Sequence, residues 1–542
     1  MTQIPDTDIE AAARIAGVDY TQAERALLAE SLALQIARAQ RRRSLELGNT
    51  LHPATVFDPR LPGFRMPEDT GLIAPKAPPR PLPEDDTDIA FATVVELSAW
   101  VRSRALSSER LTRIYLDRID RFGPKLECIA HATPELALSR ARAADAELAA
   151  GHWRGPLHGI PYGCKDLLDT AGIPTCWGAE PYAGRIPDSD SAVVAKLAKA
   201  GAVLIAKTTL GALAYGDIWN GGRTRNPWNP EEGSTGSSAG SGSGTSAALF
   251  GFSIGTETLG SIMGPSTRCG IVGLRPSFGR VSRAGAMALC WSLDKIGPMC
   301  RGVDDTALVL AALNGFDEAD PGSIAAPFSD DASADITSLR VGYFPKDSES
   351  PFDQAMLNTA RSLGIALIPL SRAPLPYETL IDLLYAEAAA AFEELTLSNR
   401  DDLLKWQAPI AWPTGFRRAR FLSAVDHIQL DRLRRLVMIE ARHWFEQVDV
   451  ILGSPLAGPM ATITNFTGHP CLALPRGFQP MPTRSPGGLN LPVGLAEDGV
   501  QHRVPHAAWI WGRLYEEGPV LRLGRALEAA FGVSSERPPG FG

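Results

Sequence analysis

The sequence predicts an α/β protein: one large domain whose central mixed, twisted β-sheet is covered by helices on both faces, preceded by an N-terminal helical extension. Two observations predict it. Short apolar runs of strand length at 201–207, 339–344, 365–370, 448–452 and 471–474 alternate with helical stretches such as 191–200, the pattern of an open mixed sheet under helices. The chain of 542 residues, 44% hydrophobic and 21% charged, is large enough for one such domain with an extension and has the composition of a soluble enzyme. No internal repeat is apparent.

The extension comes first. Thr21 to Glu24 has the form of a capping box, and Leu28, Leu32 and Ile36 follow at helical spacing until Gly48, so residues 1 to about 50 read as a helical hairpin. Between 51 and 87 the prolines at Pro53, Pro59, Pro62, Pro67, Pro75, Pro78, Pro79, Pro81 and Pro83 enforce an extended strap and forbid long helices. The expected division is an extension over 1–73, a Pro-rich linker over 74–87 and a catalytic domain over 88–536. The whole extension, its helix included because an amphipathic helix of this length needs an apolar partner, is expected to pack on the catalytic domain, with a dimer contact or a lid as alternatives. From 91 to 151 the pattern is helical, with Leu111, Ile114, Tyr115 and Ile119 facing inward.

Net charge is −8 with both signs interspersed, which excludes a nucleic-acid surface as the main business. The basic run Arg41–Arg43 reads as the solvated last turn of a helix. No apolar run reaches membrane-spanning length, and the acidic start MTQIPDTDIE lacks the pattern of a signal peptide, so a cytoplasmic protein is expected. The cysteines, 7 in number, are scattered without CxxC pairs or metal-ligand spacing and read as reduced core residues, Cys164 beside Lys165 included.

The chemistry is sought in 233–276, GSTGSSAGSGSGTSAALFGFSIGTETLGSIMGPSTRCGIVGLRP. A Gly/Ser run is either a flexible linker or a place where backbone approaches a substrate closely. The apolar stretches at 246–254 and 269–274 argue for the second. Ser237 and Ser261 stand out there, and a serine needs a base to become a nucleophile. Upstream, Lys165 ends the buried run GIPYGCKD. Burial disfavours the ammonium, and moving a lysine from about 10.4 toward about 7 takes about 4 to 5 kcal/mol of differential environment.

GIPYGCKD, TGSSAGS, GTETLGSI, CGIVGLRPSFGRVS and SLDKIGPM, in this order and spacing, with NFTGHPCLALPRGF and LPVGL near the end, resemble the amidase signature family of serine hydrolases over about Leu97 to Phe531. The resemblance implies the amidase signature fold and a Ser-Ser-Lys triad working through an acyl-enzyme. Ser261 is then the nucleophile, Ser237 the bridging serine on a cis Gly236–Ser237 peptide, and Lys165 the base. The N–H groups of Thr258, Leu259, Gly260 and Ser261 form the oxyanion hole, and Ser238 supports the network. It implies no cofactor and no metal, and a small-molecule carboxamide substrate, with an ester or carbamate as alternative. Neither nucleic acid nor membrane is an expected partner; a homodimer is possible. Ser237 is expected within about 3.2 Å of both the Lys165 amine and the Ser261 hydroxyl, or slightly further without substrate.

Rival readings exist. GSSAG matches the G-x-S-x-G elbow, but an elbow needs a preceding strand, 226–233 is turn-like, and none of His427, His469, His502 and His506 is a compelling partner. A non-catalytic assembly protein is opposed by competent residues at all three catalytic positions. The chain also departs from the family pattern. Leu259 stands where a glycine is usual, Met263 where an arginine is usual, and Glu257 replaces an aspartate that commonly pairs with that arginine. Arg268 is the expected new partner of Glu257. Some family members are glutaminase subunits of tRNA-dependent amidotransferases; the long extension and altered loop favour a stand-alone hydrolase.

Overall fold

The structure, a computed structural model, describes residues 4–73, 80–455, 457–485 and 494–542. Residues 74–79 of the expected linker, and the first three residues of the LPVGL motif, lie outside the described residues.

Eleven strands form one mixed sheet. Along the chain they are β1 (Ile129–Ala132), β2 (Pro161–Lys165), β3 (Val203–Thr208), β4 (Phe252–Glu257), β5 (Val272–Arg275), β6 (Lys295–Cys300), β7 (Val341–Tyr343), β8 (Leu367–Pro369), β9 (Val450–Gly453), β10 (Cys471–Met481) and β11 (His502–Gly512). Across the sheet their order is β8-β7-β9-β11-β10-β5-β6-β4-β2-β3-β1, flanked by helices. The strand β2 is parallel to both β3 and β4, with Cys164 opposite Lys207 on one side and Ile254 on the other. β4 is antiparallel to β6. Every residue of β2, β3, β4 and β6 is buried, the condition of strands covered on both faces.

The stretch 91–151 is less uniform than its helical pattern suggests. Helices Val94–Arg102, Ser108–Leu126 and Pro134–Ala149 bury Leu111, Ile114, Tyr115 and Ile119 as expected, but β1 lies between the last two. Glu127, at φ 47°, breaks the preceding helix, and Thr133 is held out of the helical region by Pro134 after it.

In the extension, α1 (Asp6–Ala16) and α2 (Gln22–Arg43) form the expected hairpin, and both hydrogen bonds of the Thr21/Glu24 capping box are present. α2 stops at Arg43, short of Gly48, where Arg42 makes a paired salt bridge to Glu393. Only Ile9 and Ala13 are buried among the described residues of the hairpin, while Leu27, Leu34 and Ile36 stay exposed. The extended segment beyond is held more closely. Asn49 donates from Nδ2 to the Ala288 carbonyl at 2.8 Å and accepts the Ala288 N–H on Oδ1 at 2.8 Å. Phe57 lies 5.1 Å from Phe278 and 3.4 Å beneath the Arg434 guanidinium, and Leu72–Ile73 pairs in parallel with Asp330–Asp331.

The Gly/Ser stretch is no linker. Residues 236–257 are buried almost throughout, as the turn into helix Ala239–Ser246 and then as β4. All seven cysteines are buried and unpaired. Among the described residues no helix is long and apolar enough to cross a membrane.

Candidate active site

Lys165 is the last residue of β2, and its flanking strands β3 and β4 seal it completely from solvent. Its Nζ lies 2.8 Å from Ser237 Oγ, 3.0 Å from Ser238 Oγ and 2.8 Å from Thr256 Oγ1. Burial holds the amine well below its ordinary value of 10.5, although Asp294 and Glu257 pull the other way.

The serines are set by a tight turn entering helix Ala239–Ser246. The Gly236–Ser237 peptide is cis. No side chain fits at Gly236, where a Cβ would stand 1.8 Å from the Gly216 carbonyl oxygen. Ser238 Oγ donates to the Thr256 carbonyl at 3.0 Å and accepts the Thr256 N–H at 3.1 Å, tying the turn to the end of β4.

Ser261 follows β4 in a loop with Gly260 at φ 83°, a conformation that glycine adopts without strain. Among the described residues no protein acceptor takes the N–H of Leu259, Gly260 or Ser261. These residues, with Thr258, Gly236 and Trp412, line a cavity of 180 Å³. Free amides beside a serine in a cavity are able to stabilise an oxyanion. The side chain of Leu259 is half-buried and packs against the apolar core.

The structure thus brings Lys165, Ser237 and Ser238 into hydrogen-bonding contact, with Ser261 and its loop alongside. The expected bond between the Ser237 and Ser261 hydroxyls is not formed among the described residues. The two segments are joined instead by backbone, with the Ser238 N–H donating to the Ser261 carbonyl at 3.2 Å.

Glu257 does not pair with Arg268. It pairs with Arg275 at 2.7 Å, both side chains fully buried, and Arg268 lies 3.4 Å from Glu232. The second Glu257 oxygen accepts the N–H of Ile262 at 2.8 Å and of Met263 at 3.0 Å, at the start of helix Met263–Cys269. Burial raises the pKa of this carboxyl, but Arg275 and those two N–H groups outweigh it and leave the group below 4.5. Glu257 therefore anchors the chain immediately after Ser261, and the role usual for the residue at Met263 passes to a strand arginine.

Two contributors escaped the sequence reading. Thr256 touches both Lys165 and Ser238. Asp294 accepts the Thr258 hydroxyl at 2.6 Å on one oxygen and the Leu289 and Cys290 N–H groups on the other, fixing the start of the oxyanion loop. Both lie inside motifs already singled out, GTETLGSI and SLDKIGPM, and a polar residue at a buried strand end was the available signal. The elbow reading fails on partners: although 229–233 proves to be a short strand, no described hydrogen bond joins a serine of this turn to a histidine. His469 is buried against Phe445 and bonded to Thr467, and burial holds it near 3; His506 lies 5.1 Å from Phe352 with the rings tilted.

His131, Asp166 and Cys176 bring a nitrogen, an oxygen and a sulfur within 4.8 Å of one another. The Lys207 ammonium lies 3.7 Å from the same Asp166 carboxylate, and its positive charge opposes a cation there.

The chain is similar to known amidases over most of its length. The family profile described as Amidase matches residues 110–469. The chain is 33% identical over 482 residues to a glutamyl-tRNA(Gln) amidotransferase subunit of Geobacter metallireducens, across 81% of this chain and 97% of that one. It is 33% identical over 478 residues to the putative amidase AmiD of Mycobacterium tuberculosis, across 84% and 97%. Among solved structures, native peptide amidase from Stenotrophomonas maltophilia superposes with a TM-score of 0.70 at 27% identity, across 84% of this chain and 99% of that one. The chain belongs to the amidase family and is a serine amidohydrolase that acts on amide C–N bonds.

Proposed function

We propose that the protein hydrolyses carboxamides of small molecules through an acyl-enzyme on Ser261, with Ser237 as proton relay and Lys165 as base. The observation that carries this is the solvent-sealed Lys165 amine, 2.8 Å from Ser237 Oγ, beside a loop whose amides are unclaimed. A neutral amine has one lone pair. Its two N–H groups go to Ser238, whose own proton is committed to the Thr256 carbonyl, and to Thr256 Oγ1, and its lone pair takes the proton of Ser237. As Ser237 gives its proton to Lys165 it takes that of Ser261, whose oxygen attacks the carbonyl carbon. The oxyanion falls to the N–H groups of 258–261. Reverse flow of the proton releases the amine as the C–N bond breaks. Water, activated by the same relay, then frees the carboxylic acid and restores Ser261. Movement of the Ser261 hydroxyl onto Ser237 completes the relay when substrate is bound, since such bonds tighten in the complex.

The same acyl-transfer machinery cleaves esters and carbamates. Activity without an amidotransferase partner is supported by the extension, whose residues Thr50 and His52 line a cavity beside the site. The test is a screen of aryl amides, primary amides, esters and carbamates with the purified chain, alongside intact-mass detection of a fluorophosphonate adduct. Amide turnover lost in Ser261→Ala, with no adduct, is the expected result. Amide turnover near the native rate in Lys165→Ala would refute the triad.

A further inference from the structure

Three cavities adjoin one another beside Ser261. The first, of 180 Å³, is lined by Ser261 and the loop before it. A second, of 410 Å³, shares Ala214, Thr258 and Leu289 with it. A third, of 730 Å³, shares His52 and Trp291 with the second and is bounded by α2 and the segment after it. His52 and Trp291 therefore stand where the second and third cavities meet.

The segment carrying His52 is built to hold its place. Asn49 mimics a strand partner by exchanging two hydrogen bonds with the backbone of Ala288, and adds a third to the Ala391 carbonyl at 3.3 Å. Further along, Phe57 sits under Arg434, whose guanidinium also donates to the Ser292 carbonyl at 2.8 Å, the residue next to Trp291. The chain on both sides of this junction is thus clamped, by Asn49 near His52 and by Arg434 near Trp291.

We propose that residues 49–52 are a wall of the substrate site and that His52 with Trp291 sets the size of the amide substituent that leads away from Ser261. This rests on the function proposed above. The chemistry of the second cavity favours an elongated, uncharged substituent with aliphatic or aromatic surface. Most of the charged groups that line it are engaged: Arg283 pairs with Asp320 at 2.8 Å and Asp169 with Arg185 at 2.6 Å, Asp294 accepts the Thr258 hydroxyl and the Leu289 and Cys290 N–H groups, and Lys295 donates to the Leu293 carbonyl. A charged substituent would have to displace these partners or come out of water unpaired. Burial, and then the Arg283 charge, hold His52 below its usual value, so it presents a neutral ring.

The test compares His52→Ala, which widens the junction, with His52→Trp, which narrows it. Two amide series are used, one lengthened on the acyl side and one on the amine side, and the readout is the ratio of kcat/KM for the longest to the shortest member. In at least one series that ratio should rise about tenfold in the first variant and fall about tenfold in the second, the scale on which pocket size discriminates. The rate of Ser261 labelling by fluorophosphonates of graded alkyl length gives the same ratio without requiring turnover. If neither variant moves the ratio, or both rates change by a common factor, the wall is refuted while the amidase reading stands. A length-dependent shift in labelling without amide hydrolysis would keep the wall and refute the amidase reading. Absence of labelling by every probe would overturn both.

Discussion

Lys165 is the group on which the pH behaviour turns. Burial lowers its pKa well below 10.5, so if its neutral amine starts the cycle as proposed, kcat/KM should climb with its deprotonation and reach a plateau on the alkaline side. A pH–rate profile checks this; a profile that rises only above pH 10 would oppose it. Ser237→Ala should keep its fold, read by circular dichroism, and lose turnover by about 10³-fold or more, the order seen when a member of a catalytic triad is removed. Glu257 makes a different prediction. Glu257→Leu leaves Arg275 charged and fully buried with its carboxylate gone, and should destabilise the protein by about 3–5 kcal/mol in denaturant unfolding. The sign with pH follows from a folded pKa below the unfolded one. The contribution of Glu257 is fully present above about pH 4.5 and is lost as pH falls through the folded value. This partner was not legible in the sequence. Arg268 is near in the chain, but its helix turns it toward Glu232 and Arg484, while Arg275 reaches Glu257 from a strand on the far side of β6.

The N-terminal extension divides into two parts with different hold on the body. Helices α1 and α2 bury almost nothing and are tied down chiefly where Arg42 meets Glu393, whereas the segment after them is pinned at Asn49, Phe57 and the Leu72–Ile73 pairing. A helix that buries so little surface gains little from tertiary packing. Hydrogen exchange should therefore show residues 6–43 opening well before 49–66, and limited proteolysis should cut the hairpin first. Equal protection of both parts would contradict this account. The capping box made α2 legible from the sequence, since it is a local signal of four adjacent residues. Its end was not, because nothing local marks Arg43. The strands β4 and β11 were missed for a similar reason: FSIGTE and HRVPHAAWIWG carry glycine, proline, histidine and charge, and only their neighbours in the sheet make strands of them.

For the whole molecule, the α/β architecture could be read in advance because fully buried strands leave continuous apolar runs. The order of the strands across the sheet could not, because it depends on pairings between distant parts of the chain. The seven buried, unpaired cysteines give a simple global test: dithiothreitol should leave Tm unchanged, and a drop of several degrees would reveal a disulfide. One further feature bears on the life of the protein in the cell. Lys165 and Thr256 meet across 91 positions of chain, and the anchor behind the Ser261 loop draws on Asn465 and on the His469 carbonyl, contributed by the last fifth of the sequence. During translation, the lysine and both serines leave the ribosome long before the residues that brace them. A nascent chain stalled at position 400 already contains Lys165, Ser237 and Ser261 but lacks β9, β10 and β11. On the mechanism proposed above, such a truncated chain should carry the motifs around these three residues and yet show no amide turnover, which a hydrolysis assay of the truncated product checks.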